Sequence, residues 1–291
     1  MIRVAAHAKV NLYLHVVGRR ADGYHLLDSL VVFADLHDDI TAAPADDLSL
    51  SLDGPFAGAL ANEPDNLVLR AARTLAAAHG IEPKARLALT KRIPVSAGIG
   101  GGSADAAATL RALAELWSVE IPDTLPPTLG ADVPACLASR TLFMSGVGEK
   151  LFMSPALPPV AMLLVNPGVA VSTGDVFKAR SGPFSTEAPF DVAPGSALHL
   201  AQLLLHRRND LTAAAAEHAP EIRAARERVA SSDGCLLARM SGSGATVFGL
   251  YASEEEAAKA AAAIAGEHPA WWCWSGGLRN GGQVPTMPST D

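Results

Sequence analysis

Four glycines within five positions, Gly98, Gly100, Gly101 and Gly102, stand in PVSAGIGGGSADAA, residues 94–107, directly before Ser103 and a run of helical periodicity. A residue without a Cβ lets an anion approach the backbone N–H groups, and a helix N-terminus adds roughly half a positive charge aimed at the same point. The stretch therefore reads as a phosphate cradle; taken alone it reads equally as a flexible turn with Ser103 as an ordinary N-cap. Two familiar phosphate loops do not fit it. A Walker loop needs Lys and Ser or Thr directly after its last glycine, where this chain has Ser103-Ala104. A dinucleotide loop read from Gly98 and Gly100 needs glycine where Ser103 stands, and belongs near a first βαβ unit.

Two charged residues add to that loop. Lys9 interrupts the apolar run MIRVAAHAKVNLYLHV, and a buried ammonium persists only when it is paired. Asp132, in GADVPACL at 130–137, is the candidate partner. By itself an Asp in such a segment is more often a helix N-cap than a reacting group, and a Lys in a strand is usually a solvated edge residue.

The elements that must position these residues follow from periodicity and turn signals. Ile2 to Val17 is rich in Val and Leu and reads as a strand, Gly18 and Asp22-Gly23 mark a turn, and Leu30 to Phe33 resumes the strand, so the first forty residues form a hairpin or meander. Asp46 to Asp53 suggests a further strand. Pro64-Asp65-Asn66 offers an N-cap to LVLRAARTLAAAHG, which has helical period and stops at Gly80. Ala85 to Lys91 reads as a strand that runs through the glycine loop into a long helix capped by Ser103; Gly130 to Pro134 opens a short helix, and Thr141 to Gly148 is a strand and turn. The Pro-rich segment Ser154 to Pro159 marks a domain join near Pro158. Beyond it come a strand in VAMLLVNPG, helices in ALHLAQLLLH and APEIRAARERVA, a Gly-rich turn and strand in MSGSGATVFGLY, a helix in EEEAAKAAAAIAGEH and a strand in WWCWSGGL. This interleaving is α+β, with antiparallel-leaning sheets and helices packed on one face. The expected division is 1–157, 158–281 and a disordered tail at 282–291.

Bulk properties narrow the function classes. The chain has 291 residues, 49% of them apolar and 18% charged, enough for two packed domains and far from the disordered class. A net charge of −7, with no long Lys/Arg run, argues against nucleic acid as a partner. Cys136, Cys235 and Cys273 stand far apart and form no CxxC pair, so reduced thiols are expected. Lys9 and Asn11 break the uninterrupted apolar stretch a signal peptide needs, and no segment approaches the roughly 18–20 apolar residues of a membrane span. A cytoplasmic protein with no membrane partner is expected.

The glycine loop resembles the second motif of the GHMP kinases, in which it wraps the triphosphate of ATP. AHAKVNLYLHVVGRRADGYHLLDSL, with Lys9, Asn11 and Asp22-Gly23-Tyr24-His25, resembles the start of the diphosphocytidyl-methylerythritol kinases within that superfamily. GADVPACL resembles their catalytic segment, PDNLV at 64–68 their adenine-side segment, and MSGSGATVFGLY at 240–251 the third GHMP motif. The matches run in the expected order over nearly the whole chain. They imply the two-domain GHMP kinase fold, with an N-terminal domain like ribosomal protein S5 domain 2 and a ferredoxin-like C-terminal domain.

The same resemblance implies residue roles. Asp132 is the general base toward the substrate hydroxyl, and Lys9 is the cation beside it that steers that hydroxyl. ATP is held by Pro94, Ser96, Ala97, Gly98, Ile99, Gly100, Gly101, Gly102, Ser103 and Ala104, with Asn66 and Leu67 on the adenine side. Asn11, Tyr24, His25, Asp132 and Thr173 face the second substrate, Tyr24 being able to stack on a cytosine ring; Gly242, Ser243 and Gly244 form a second turn on the same cleft, and Ser172 and Asn209-Asp210 match further family positions. Mg²⁺ is the implied metal, with Ser103 a candidate ligand and the rest of its site unassigned. Several relatives carry Ser or Asn where this chain has Ala104-Asp105, and Asp105 is expected to face solvent or contact ribose. The implied reaction is ATP-dependent phosphorylation of a cytidine diphosphate-linked methylerythritol by a monomer or homodimer. Alternatives are another GHMP kinase acting on homoserine, mevalonate or a sugar, a non-catalytic nucleotide sensor on the same fold, and a nicotinamide-dependent oxidoreductase.

Overall fold

The opening run of β-forming residues makes an 18-residue strand, β1 (Ile2–Arg19), which pairs antiparallel with β2 (His25–Ala43) in a computed structural model that describes residues 1–61, 63 and 65–279. The Arg20 N–H donates to the Tyr24 carbonyl at 2.7 Å and closes the turn between them. The pairing register shifts three times, between His7 and Lys9, Asn11 and Tyr13, and Val16 and Gly18. Such bulges bend a strand and re-aim its side chains; two of the three flank Lys9 and Asn11.

β3 (Leu48–Asp53), α1 (Leu67–His79) and β4 (Ala85–Thr90) follow, and β3 pairs parallel with β4. That pair departs from the antiparallel expectation because α1 supplies the crossover a parallel pair requires. Asn66 Oδ1 accepts the Val68 N–H at 2.9 Å and caps α1, and Gly80 ends it with φ of 63°. The long α2 (Gly101–Trp117) turns a mainly alanine face to the core, which lets it lie close against β1 and α1. Two short helices, α3 (Pro126–Leu129) and α4 (Val133–Ala138), lead to the hairpin β5 (Leu142–Gly146) and β6 (Lys150–Met153). The resulting sheet has the order β3-β4-β2-β5-β6, with β1 paired to β2.

Residues 154–160 carry no helix or strand; a join near Pro158 remains our proposal. Next come β7 (Ala161–Asn166), α5 (Thr173–Ala179), α6 (Ala197–Leu205), α7 (Thr212–His218), α8 (Glu221–Ala230), β8 (Leu237–Met240), β9 (Val247–Tyr251), α9 (Glu254–Glu267) and β10 (Trp272–Gly277). The second sheet has the order β10-β7-β9-β8 and is antiparallel throughout. Short α5 and α7 were not evident from periodicity, since seven residues hold less than two full apolar repeats. One apolar cluster joins the sheets, with Ala8, Val10, Leu12 and Leu30 packed with Met162, Leu164, Phe248 and Leu250. Among the described residues no helix is long and apolar enough to cross a membrane. The tail at 282–291 lies outside the described residues, as does Pro64 of the α1 cap segment.

Candidate active site

The glycine loop is clasped from both sides. The Lys9 N–H of β1 donates to the Ile99 carbonyl at 2.9 Å, and from the other side the Thr246 N–H and Ser241 hydroxyl donate to the carbonyls of Ala97 and Gly98, both at 3.1 Å. Gly98, at φ of 74°, lies against the backbone of Gly244, where any Cβ would collide with the Gly244 carbonyl. Asn209 Nδ2 in turn donates to the carbonyls of Met240 and Gly242, each at 2.8 Å, fixing the second glycine turn on the first. Gly242 and Ser243 thus reach the same cleft as the loop.

Gly100 enters α2 in the left-handed region at φ of 66°, and the helix begins at Gly101 with no side-chain cap. Ser103 is therefore not the N-cap expected from sequence: the glycine makes the turn, and the Ser103 hydroxyl is left in the first turn of the helix, at the cleft. A Cβ on Gly101 would crowd Ile93 Cγ2 at 3.0 Å and Lys91 Nζ at 3.2 Å, whereas Gly102 faces open space.

Lys9 is 3% exposed, and its Nζ lies 2.6 Å from Asp132 Oδ1, whose side chain is 34% exposed. Asp132 occupies the N-cap position of α4 yet makes no capping bond, which leaves its carboxylate to the lysine and the cleft. Two positions on, Asn11 donates from Nδ2 to Ser29 Oγ at 2.8 Å, while its Oδ1 is buried without a partner. An unpaired buried oxygen beside a cleft is suited to accept from a ligand hydroxyl.

These groups line one cavity of about 960 Å³, at the upper end of the usual range for ligand pockets and roomy enough for two substrates. Asn66 and Leu67 line one end, near Leu60 and Leu89; Pro94, Ser96 and Ala97 line the approach to the loop. Tyr24 and His25 line the same cavity, Tyr24 with 64% of its surface exposed. The His25 ring stacks on Phe177 at 5.2 Å, and burial, with Arg19 and Arg180 nearby, holds its imidazole below the ordinary value. The Thr173 and Ser243 hydroxyls, also on the cavity, meet at 2.8 Å. Phe177 was not foreseen, because it rides on a helix too short to read.

The side chains of Ile99 and Ala104 turn into the core and do not line the cavity, so the backbone is what either offers to ATP, and that role remains our proposal. One expectation needs correction. Asp105 does not face solvent; it is buried at the edge of the cavity. One turn after Gly101 it points beneath the loop, where Lys91, 2% exposed, places Nζ 2.6 Å from both Asp105 Oδ2 and Asp38 Oδ2. Asp38 Oδ1 also accepts the Ile93 N–H at 2.8 Å. Burial alone would discharge Lys91, but Asp105 and Asp38 outweigh it and raise its pKa; burial raises Asp105, since one ammonium is shared between two carboxylates. Neither Lys91, which read only as a strand end, nor Asp38 stood out in sequence.

Comparison with known proteins agrees with this architecture. The family described as "GHMP kinases N terminal domain" matches residues 66–140, and "GHMP kinases C terminal" matches residues 193–270. The chain is 53% identical over 272 residues to the 4-diphosphocytidyl-2-C-methyl-D-erythritol kinase of Rhodospirillum rubrum, covering 92% of this chain and 90% of that one. It is 54% identical over 276 residues to the kinase of the same name from Cereibacter sphaeroides, covering 94% and 97%. A crystal structure of 4-(cytidine 5'-diphospho)-2C-methyl-D-erythritol kinase superposes with a TM-score of 0.77 at 36% identity, over 96% of this chain and all of that one. The clasped glycine loop, the paired Lys9 and Asp132 and likeness over nine-tenths of its length together mean that the chain belongs to the GHMP kinases, among the 4-diphosphocytidyl-2-C-methyl-D-erythritol kinases.

Proposed function

We propose that this kinase transfers the γ-phosphoryl group of ATP to the 2-hydroxyl of 4-diphosphocytidyl-2-C-methyl-D-erythritol, a step of the non-mevalonate isoprenoid pathway. The observation that carries the reading is the buried Lys9 paired at 2.6 Å with a part-exposed Asp132, in the same cavity as the glycine loop and the Tyr24–His25 end. Asp132 takes the proton of the attacking hydroxyl, and Lys9 fixes the carboxylate and draws the hydroxyl oxygen into line. Gly100, Gly101 and Gly102 bring backbone N–H groups to the triphosphate, Asn66 and Leu67 flank the adenine, and Tyr24, His25 and Thr173 receive the cytidine end, with Asn11 Oδ1 accepting from the methylerythritol part.

Among the described residues no group of three or more His, Cys, Asp and Glu could hold a metal ion. The donor set suits Mg²⁺ carried mainly by phosphate oxygens and water, with the Ser103 hydroxyl as the chain's contribution. Bound in that way, the metal supplies neutralisation of charge on the transferring group.

A coupled ADP-release assay with ATP, Mg²⁺ and the cytidylated substrate, run beside homoserine, mevalonate and galactose, tests the reading. Turnover with the cytidylated substrate alone is expected; turnover only with one of the other three overturns it.

A further inference from the structure

Beneath the glycine loop lies a charged cluster that takes no part in the reaction as described. Lys91 stands between the end of β4 and the loop, Asp38 belongs to β2, and Asp105 to the first turns of α2. The ammonium bonds both carboxylates at 2.6 Å and is 2% exposed. It lies 3.2 Å from where a Cβ on Gly101 would stand, so the loop backbone rests directly on it. Asp38 is also tied to the chain after Lys91 through the Ile93 N–H. Asp105 has no such backbone anchor: its Oδ1 is buried with no partner, and its side chain is held by the bond to Lys91 and its closeness to Asp38. The Asp105–Lys91 bond is thus a side-chain tie between the N-terminal end of α2, where Gly101 and Gly102 begin the helix, and the end of β4, added to the packing of α2 on β1 and β2.

A bond made only to hold the fold is poorly explained here. Two buried carboxylates share one cation, an arrangement that leaves uncompensated charge and costs stability. An apolar residue at 105 would leave Lys91 matched one-to-one by Asp38. What Asp105 adds is a fixed distance between α2 and the sheet at the point where the glycine backbone must meet a ligand. We propose that Asp105, through Lys91, is a positioning residue for nucleotide binding, setting the height of Gly101 and Gly102 so that their N–H groups meet the triphosphate. The inference rests on the reading that the triphosphate seats on this loop.

The substitution Asp105→Leu removes the acceptor at similar branching but greater volume and leaves the Lys91–Asp38 pair in place; Asp105→Ala, carried in parallel, removes it without bulk, and either one folding suffices. Asp105→Asn retains an oxygen acceptor. The expected result with the full-length enzyme is a KM for ATP raised about 10- to 100-fold in the first two variants, with the KM for the cytidylated substrate within about twofold and with Asp105→Asn close to the parent. A wild-type KM for ATP in a folded Asp105→Leu or Asp105→Ala protein overturns the proposal. So does an equal rise in both KM values, which would mark general damage, or an Asp105→Asn enzyme as impaired as Asp105→Leu. The loop reading is checked separately with Gly102→Val, whose Cβ enters open space on the cavity. Weakened ATP binding there, together with silent Asp105 variants, overturns the positioning role alone; unchanged ATP binding there overturns the seat itself.

Discussion

Two buried lysines, Lys9 and Lys91, lie on opposite sides of one glycine loop, each 2.6 Å from carboxylate, and they are built for different ends. Lys91 is enclosed: its partners Asp38 and Asp105 are as buried as it is, and although Lys91 and Asp105 border the cavity, the ammonium occupies an oxygen of each carboxylate. Lys9 is equally buried, but Asp132 keeps a third of its side chain exposed toward the cleft. An ion pair becomes a chemical group when one member is left open on the side where substrate arrives. Enclosed, the same pair is a strut. Which of the two a lysine joins depends on whether the carboxylate comes from a loop at the cavity, as Asp132 does, or from the first turns of a packed helix, as Asp105 does.

That contrast can be broken at several points. Asp132→Asn removes the proton acceptor while preserving shape and an oxygen toward Lys9, and kcat is expected to fall about 10²- to 10⁴-fold with ATP affinity nearly unchanged; equal loss of binding would make Asp132 a strut as well. Lys91→Met strands two buried carboxylates and is expected to cost about 3–5 kcal/mol of stability, read from urea unfolding. A small cost there would mean the enclosed pair is less dry than its burial implies. Gly102→Val adds a branched side chain where only phosphate should come, a clash worth about 1–3 kcal/mol, or roughly ten- to hundredfold in ATP affinity. The smallest effect belongs to a third, outer carboxylate. Arg3, helped by Arg92, holds Asp39 down to about 2 from the usual 3.8. A depressed carboxyl stabilises the fold above its unfolded value, and that increment is lost as pH falls from about 4 toward 2. Because both arginines are largely exposed, the increment is about 1 kcal/mol; Asp39→Asn should flatten the stability profile across that window, as followed by chemical unfolding at stepped pH.

How much of this was legible depended on whether a residue broke a local pattern. Lys9 did, by interrupting an apolar strand, and the glycines did by their density; both reached the cleft. The long elements β1, α1, α2 and α9 were readable because each holds several repeats of its period, and the Asn66 cap because its chemistry is local. Asp105 was misread because nothing nearby in sequence announces a partner: Lys91 is 14 positions away and Asp38 a further 53, and only the crossing of three elements brings them together. Ser103 was misread because a glycine in the left-handed region can open a helix without a side-chain cap. Phe177 stayed hidden on a seven-residue helix whose register is fixed by the turn it packs against rather than by its own pattern.

β1 carries an implication for the order of events in making the protein. Its residues enter three separate cores: Ala6 with the alanine face of α2, Ala8, Val10 and Leu12 with both sheets, and Leu14 and Val16 with α7 and α8. β1 is made well before the second sheet, yet of the core around Leu14 and Val16 only Leu27 lies before residue 160. Contacts that span such a distance close late and are slow to form. The segment bearing Lys9 and Asn11 is thus made long before it is fully enclosed, and the cleft it lines is completed only once the turn at Gly242 and Ser243 has followed.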